Sequence, residues 1–105
     1  MRTFLLETTV PAVGRPAPTD SATRLVQMTV EGEGAVSATA FVEASNDRKK
    51  WFKVCLDRTV SGSANSNDPV SDFWPEFDAA WAFMRATVTD VQGEGAKVTL
   101  TLSLV

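Results

Sequence analysis

The residues best suited to chemistry are three carboxylates in an aromatic stretch, Asp72, Glu76 and Asp78. Paired carboxylates can perform acid–base catalysis, and carboxylate oxygens can also bind calcium. The side chains of Asn65, Asn67 and Asp68 are a second group that could bind calcium. Neither group has the regular spacing of an EF-hand loop. We interpret Asp72–Asp78 as an acidic loop around hydrophobic anchors and assign no metal and no cofactor.

Nucleophilic catalysis has little support in the sequence. The chain has no histidine, which removes the usual general base near neutral pH and the commonest transition-metal ligand. No serine lies in a Gly-x-Ser-x-Gly turn. Cys55, the only cysteine, alternates with Lys53 on a predicted strand, which favours a half-buried structural thiol over a reactive one. We therefore expect a protein that is not an enzyme.

Aromatic side chains offer binding chemistry instead. Tryptophan is prominent both in sandwich cores and at interface hot spots. We expect Trp51 to pack at the start of a strand, whereas Trp74, beside Pro75, is the best candidate for an exposed anchor. Arg85 shares a predicted strand face with Trp81. We expect Arg85 to stack on an aromatic ring or to pair with an acid such as Asp57 or Asp78.

Composition excludes several classes of partner. A chain of 105 residues with 44% apolar residues is one globular domain. Its net charge of −3 argues against nucleic-acid binding, because such proteins need a basic face. No apolar run approaches the ~20 residues that span a bilayer, so we expect no membrane partner. A single cysteine excludes an intramolecular disulfide, which suits assembly in a reducing cytoplasm.

The N-terminal region differs from the rest of the chain. Alternation in residues 4–10 predicts a strand, with Phe4, Leu6 and Val10 on one side. The following residues 11–21 contain three prolines and a glycine, which exclude a central strand or a helix. We expect an extended, partly polyproline-like connection. Residues 1–23 would form an arm or an edge strand, and residues 24–105 the main domain.

Period-two alternation continues through the main domain and predicts further strands. It places Phe52, Val54 and Leu56 on one strand face, with Cys55 on the other. Two similar segments, residues 31–34 and 92–95, are predicted to be hairpin turns because their glycines allow positive φ. Residues 45–47 are predicted to form a polar turn and residues 61–69 a flexible loop. In one later strand Met84, Ala86 and Val88 alternate with Phe83, Arg85, Thr87 and Thr89, and in the last strand Val98, Leu100, Leu102 and Leu104 face the core.

These elements predict an all-β protein. Seven or so short strands with turn signals between them are typical of a single antiparallel β-sandwich or jelly roll, here with an extended N-terminal arm. Residues 78–85 could be a helix from propensity alone, but their continuation alternates, and we prefer a strand from Trp81.

Two motifs resemble those of known families. The stretch Val42–Trp51, with its Ser-Asn-Asp turn, is similar to a strand–turn–strand of discoidin-like, galactose-binding-type sandwiches. More closely, the segment from Val26 to the C-terminus resembles small bacteriophage virion proteins. Its Arg-Ala-Thr-Val-Thr strand at 85–89 and its terminal Gly-Ala-Lys-Val-Thr strand at 95–99 carry that likeness. The Pro-rich N-terminal region is not covered.

The resemblance implies a non-enzymatic structural protein on the capsid exterior of a virion, made in the host cytoplasm. Head decoration, or cement, proteins of this kind bind the major capsid protein, and we expect a homotrimer or another homo-oligomer. Deleting residues 1–20 would then leave a folded core that binds capsid poorly. The alternatives are a carbohydrate-binding module for a host glycan and a low-copy tail or neck component. The candidate partner-binding residues are Phe4, Leu6, Pro16, Pro18, Phe73, Trp74 and Phe77.

Overall fold

The computed structural model describes residues 2–18, 22–75, 77–79 and 82–104, and these residues are all-β with no helix. It therefore contains no described helix of the length and hydropathy needed to cross a membrane. The strands are, in chain order, β1 (Arg2–Thr8), β2 (Ala12–Val13), β3 (Ala17–Pro18), β4 (Ala22–Ser45), β5 (Phe52–Ala64), β6 (Val70–Phe73), β7 (Phe77–Ala79) and β8 (Phe83–Leu104).

Two long strands, β4 and β8, organise the fold. They pair with each other along both halves, and the two halves have different edge strands beside them. Residues 24–31 of β4 pair with 97–104 of β8, and this central pair is flanked by β1 and by β6 with β7. We call this group sheet I. Residues 37–45 of β4 pair with 83–92 of β8, flanked by β5 and by β2 with β3. This second group is sheet II, and all pairs in both sheets are antiparallel.

The two sheets enclose one core. Val26 and Met28 of sheet I belong to the same buried cluster as Ala40 and Val42 of sheet II. A single cluster formed by both halves of one strand requires the sheets to face each other, as in a β-sandwich. The predicted fold class is thereby confirmed. The predicted inward positions Val98, Leu100 and Leu102 of β8 are confirmed, and Met84, Ala86 and Val88 of the same strand are buried as well, while the side chain of Leu104 lies outside the described residues.

The two glycine-rich segments are corners rather than hairpin turns, so that prediction was wrong. Both β4 and β8 continue through them without reversing, and Glu33 pairs with Glu94 across the corner. Gly93 has a φ of 120° and Gly95 a φ of 66°. Positive φ allows a sharp bend in a strand as readily as a reversal. The segments are alike because two neighbouring strands must bend at the same place.

The N-terminal strand is an edge strand of sheet I, one of the two positions expected for it. β1 pairs with residues 98–103 of β8, and Leu5 is buried in the core. The Pro-rich connection is also held by the sheet, since β2 and β3 pair with β8 and the amide of Gly14 donates to the carbonyl of Ala86 at 2.7 Å. Residues 2–18 therefore lie along the sandwich as paired strands.

Register irregularities change which side chains face the core. A bulge between Phe4 and Leu6 separates two residues that alternation placed on one side: Phe4 pairs with Thr101 and is exposed, whereas Leu6 pairs with the buried Leu100 and packs against the core. β5 also has an irregular register, but Cys55 is buried and Leu56 is 71% exposed, on opposite faces as alternation predicted. Bulges of this kind insert a residue and invert the alternation beyond it.

The polar loop predicted for residues 61–69 is shorter than expected. β5 continues to Ala64, and only a tight turn closed by Asn65 and Asp68 separates it from β6. The amide of Asn67 donates to the Oδ1 atom of Asn65 at 2.9 Å, which stabilises this turn.

The predicted turn after β4 is confirmed and stabilised by its own side chains. The Ser45 hydroxyl accepts from the amides of Asp47 and Arg48, and the Asp47 carboxylate accepts from the amides of Lys49 and Lys50. These hydrogen bonds favour the ionised carboxylate, and the amide of Lys50, then that of Lys49, lowers the pKa of Asp47. The basic run is thus part of a side-chain-stabilised turn.

Candidate partner-binding face

Two of the candidate residues, Phe4 and Phe73, lie on the same outer face of the sandwich. Phe4 is on edge strand β1 and is 61% exposed, and Phe73 is on edge strand β6 and is 56% exposed. Phe4 pairs with Thr101, Thr101 with Gln27, and Gln27 with Phe73. The two residues thus mark the ends of one row across sheet I, with their backbones roughly 14 Å apart, since neighbouring strands lie ~4.8 Å apart.

A polar floor lies between the two phenylalanines. The Gln27 side-chain amide donates to the Ser71 hydroxyl at 2.8 Å, and the Thr29 and Ser71 hydroxyls are 3.2 Å apart. The Ser71 hydroxyl also donates to the carbonyl of Met28 at 3.3 Å. These bonds fix the floor beside β6. The groove that it forms has a volume of about 240 Å³ and is lined by Phe4, Glu7, Gln27, Thr29, Glu31, Lys97, Thr99 and Thr101.

A charged group closes one end of this groove. The Lys97 ammonium lies 3.2 Å from Glu31 and 3.6 Å from Glu7, and its hydrogen bond and attraction to Glu31 raise its pKa. Because all three side chains are substantially exposed, this network contributes little stability. It does give the groove one polar, charged end. We call the surface from Phe4 to Phe73, with this floor, the Phe4–Phe73 face.

Trp74 is not the exposed anchor expected from the sequence, and that expectation was wrong. Only 5% of it is accessible, and it belongs to the core cluster. Its indole nitrogen donates to the carbonyl of Leu56 at 2.8 Å, and its amide donates to the carbonyl of Val26 at 3.1 Å. Trp74 therefore joins the edge of sheet II to the edge of sheet I, with the adjacent Arg58–Asp72 ion pair at 2.7 Å.

The remaining candidates do not join the Phe4–Phe73 face. Leu6 is partly buried against the core. Pro16 and Pro18 are exposed, but they flank the sheet II half of β8, where Pro18 pairs with Phe83. The backbone of Phe77 pairs with β4, and its side chain lies outside the described residues.

A second group of aromatic and charged side chains covers the outer face of sheet II. Arg85 lies 4.1 Å from the ring centroid of Trp51 and 3.2 Å from the Glu43 carboxylate. Lys53 lies 4.1 Å from the centroid of Phe41. Arg85 therefore has both kinds of contact expected for it, although with other partners than Asp57 or Asp78. These contacts pair the cations and rings with each other, which favours a structural role.

The groups considered for catalysis or metal binding are also accounted for. Burial raises the pKa of the Cys55 thiol to about 12, which opposes formation of the nucleophilic thiolate. Asp72 pairs with Arg58, while Glu76 and the side chain of Asp78 lie outside the described residues. Among the described side chains, no group of three or more His, Cys, Asp or Glu could hold a metal ion.

The Phe4–Phe73 face was not found by sequence reasoning as a unit. Both residues were singled out, but they are far apart in the chain and belong to opposite edge strands. Alternation identifies the face of each strand, whereas the order of strands in a sheet depends on long-range pairing. The only sequence signal for this face was that each of the two residues is a large aromatic residue next to a polar one.

Fold and surface together define an all-β sandwich protein with an aromatic-flanked polar face. In comparisons with known proteins, no protein-family model matches the chain, and no curated protein matches it significantly.

Proposed function

We propose that this chain is a non-enzymatic structural protein of a bacteriophage particle, a decoration protein that binds the capsid exterior and bridges neighbouring capsid subunits. The similarity of its strand motifs to small virion proteins supports the phage assignment. The observation that carries the binding role is the Phe4–Phe73 row, two exposed aromatic rings on one face of a rigid sheet.

The composition of this face suits a protein partner. Interfaces are enriched in aromatic residues, and a few central side chains contribute most of the binding free energy. Here the two rings would insert into apolar pockets of the capsid surface, while Gln27 and the surrounding hydroxyls form hydrogen bonds between them. Because the floor is fixed by the Gln27–Ser71 and Thr29–Ser71 contacts, little side-chain entropy is lost on docking.

The edge strand β1 has a different role in this proposal from the arm expected at first. β1 is paired with its own β8, and Leu5 fills part of the core. Deleting residues 1–20 would therefore remove part of the sandwich as well as any contact with a neighbour. In the proposal β1 presents Phe4 to the capsid, and binding of several copies as a homo-oligomer strengthens the attachment through many weak contacts.

Replacing both rings tests the binding role. We expect the double variant Phe4→Ala/Phe73→Ala to bind undecorated capsids at least tenfold more weakly, since a hot-spot side chain is worth ~2 kcal/mol and 1.4 kcal/mol is tenfold in affinity. The measurement is co-sedimentation with capsids lacking the protein. Leu56→Ala is the matched control, because Leu56 is an apolar side chain that is 71% exposed and lies on β5 of sheet II. Equal capsid binding by the unmodified protein, the double variant and Leu56→Ala would contradict the binding role of the Phe4–Phe73 face.

A carbohydrate-binding module is the second candidate, and the groove itself favours it. The ring of Phe4 can stack on a sugar ring, and the hydroxyl and amide groups that line the groove with it can bond the sugar hydroxyls. The tryptophan platform expected from the sequence is weakened, since Trp74 is buried, Trp51 is covered by Arg85, and Trp81 lies outside the described residues. Calorimetric titration with host-surface polysaccharide separates the two functions. Heat of binding that disappears in Phe4→Ala, without capsid binding, would favour the glycan.

A further inference from the structure

The sandwich has four sheet edges, and three of them carry features that prevent another strand from pairing. β1 is interrupted by its bulge and bears Glu7. β2 and β3 have two residues each, with Pro16 between them and Pro18 in β3. β6 and β7 are short and are separated at Pro75. Bulges, prolines, charges and short length are the usual protections of an edge strand.

The fourth edge, β5, is protected along only half of its length. In its first half, the indole of Trp74 bonds the carbonyl of Leu56 and Asp72 pairs with Arg58. Beyond Arg58 the strand continues as Thr-Val-Ser-Gly-Ser-Ala, residues 59–64, with no charge and no proline. This segment pairs with β4 in unbroken register, and no described strand pairs with its other edge.

We propose that residues 59–64 of β5 pair antiparallel with the same residues of a second copy of this chain. The hydrogen-bonding groups of an antiparallel edge are self-complementary about a two-fold axis, which is the symmetry of most dimers. Self-pairing also brings identical charges together, so it requires a neutral segment at the axis. Residues 59–64 meet this requirement, and the charged side chains begin outside them at Arg58 and Asp68.

The register of such a pair follows from its centre. An axis at Ser61 places Ser61 opposite Ser61 of the second copy and Thr59 opposite Ser63, because directly opposed residues must point to the same face of the shared sheet. Ser61 and Ser63 are exposed, and their small side chains leave room for a neighbouring strand. Arg58 then faces Ala64 of the second copy, so no like charges are opposed. The result is one sheet II that continues through both copies.

This dimer leaves the Phe4–Phe73 face free, because that face belongs to sheet I and the contact belongs to the edge of sheet II. The inference does not depend on the capsid role. If both are correct, each dimer presents two capsid-binding faces, and attachment gains from their simultaneous engagement.

A charge placed at the axis tests the inference. In sedimentation equilibrium the unmodified protein is expected to show twice the mass of one chain, and Ser61→Lys the mass of one chain, because two lysines would meet at the axis. Ser61 is exposed and pairs only through its backbone in the folded sheet, so the variant should fold. Ser63→Lys is a second variant with the same expected result.

The matched control is Thr9→Lys, which adds the same charge at an exposed position outside β1. It is expected to remain a dimer. A single-chain mass for the unmodified protein at the highest soluble concentration would overturn the inference. Dimeric Ser61→Lys and Ser63→Lys proteins would also overturn it, since the copies would then associate through another surface.

Discussion

Trp74→Ala is expected to lower the free energy of unfolding by roughly 3–5 kcal/mol, the usual cost of removing a large buried aromatic side chain. Trp74 is 5% exposed, and its indole bridges the sandwich to the carbonyl of Leu56. Its removal leaves a cavity and an unpaired carbonyl at the junction of β5 and β6. A small domain with total stability of ~5–15 kcal/mol would lose much of it. Urea denaturation followed by circular dichroism measures the change.

The adjacent Phe73→Ala variant is the control for this prediction. Phe73 is 56% exposed, so its truncation should change the free energy of unfolding by about 1 kcal/mol or less. The two substitutions therefore separate a residue that stabilises the fold from one that the proposal assigns to binding. A similar loss of stability in both variants would contradict the difference in burial. A stable Trp74→Ala protein would contradict the role of Trp74 in closing the sandwich.

Gly93→Ala is the second substitution expected to have a large effect. A β-carbon at this position would lie 2.6 Å from the carbonyl oxygen of Ala35 and 2.8 Å from Val36. The φ of 120° is also one that side chains rarely adopt. Backbone strain of ~1–3 kcal/mol and overpacking of ~1–3 kcal/mol act together. We expect a loss of about 3 kcal/mol in the free energy of unfolding, measured by the same denaturation.

Gly95→Ala tests whether crowding at the corner causes this loss. Gly95 also has a positive φ, 66°, but a β-carbon there would have no atom within 4 Å. Only the conformational cost applies, roughly 1–2 kcal/mol for a left-handed residue, less a gain from a stiffer unfolded chain. The loss should therefore be clearly smaller than in Gly93→Ala. Equal losses would show that the two strands do not pass each other closely at this corner.

Most of the fold could be predicted from local alternation. The errors arise where the local sequence does not determine the path of the backbone. The core positions Val98, Leu100 and Leu102 of β8 were predicted because no described bulge interrupts this part of the strand. Phe4 and Leu6 were wrongly placed on one side of β1 because a bulge between them shifts the register, and a bulge depends on the partner strand as well as on its own sequence. The corners were misread because glycine permits a bend and a reversal equally.

The candidate site was less predictable than the fold. Phe4 and Phe73 become neighbours in one row only through the order of strands in sheet I. Trp74 was misassigned because its position next to Pro75 indicates a break in the strand but says nothing about burial. Its inward position follows from the carbonyl of Leu56, which a shifted register of β5 makes available on the other sheet.

The most direct test of the proposed function is the number of copies of this chain in a virion. Quantitative mass spectrometry of purified particles of the phage that encodes it gives that number relative to the major capsid protein. A decoration role predicts near-stoichiometric abundance. A few copies per particle would instead indicate a tail or neck component. Absence from the particle would contradict the proposal and leave the glycan-binding module as the leading function.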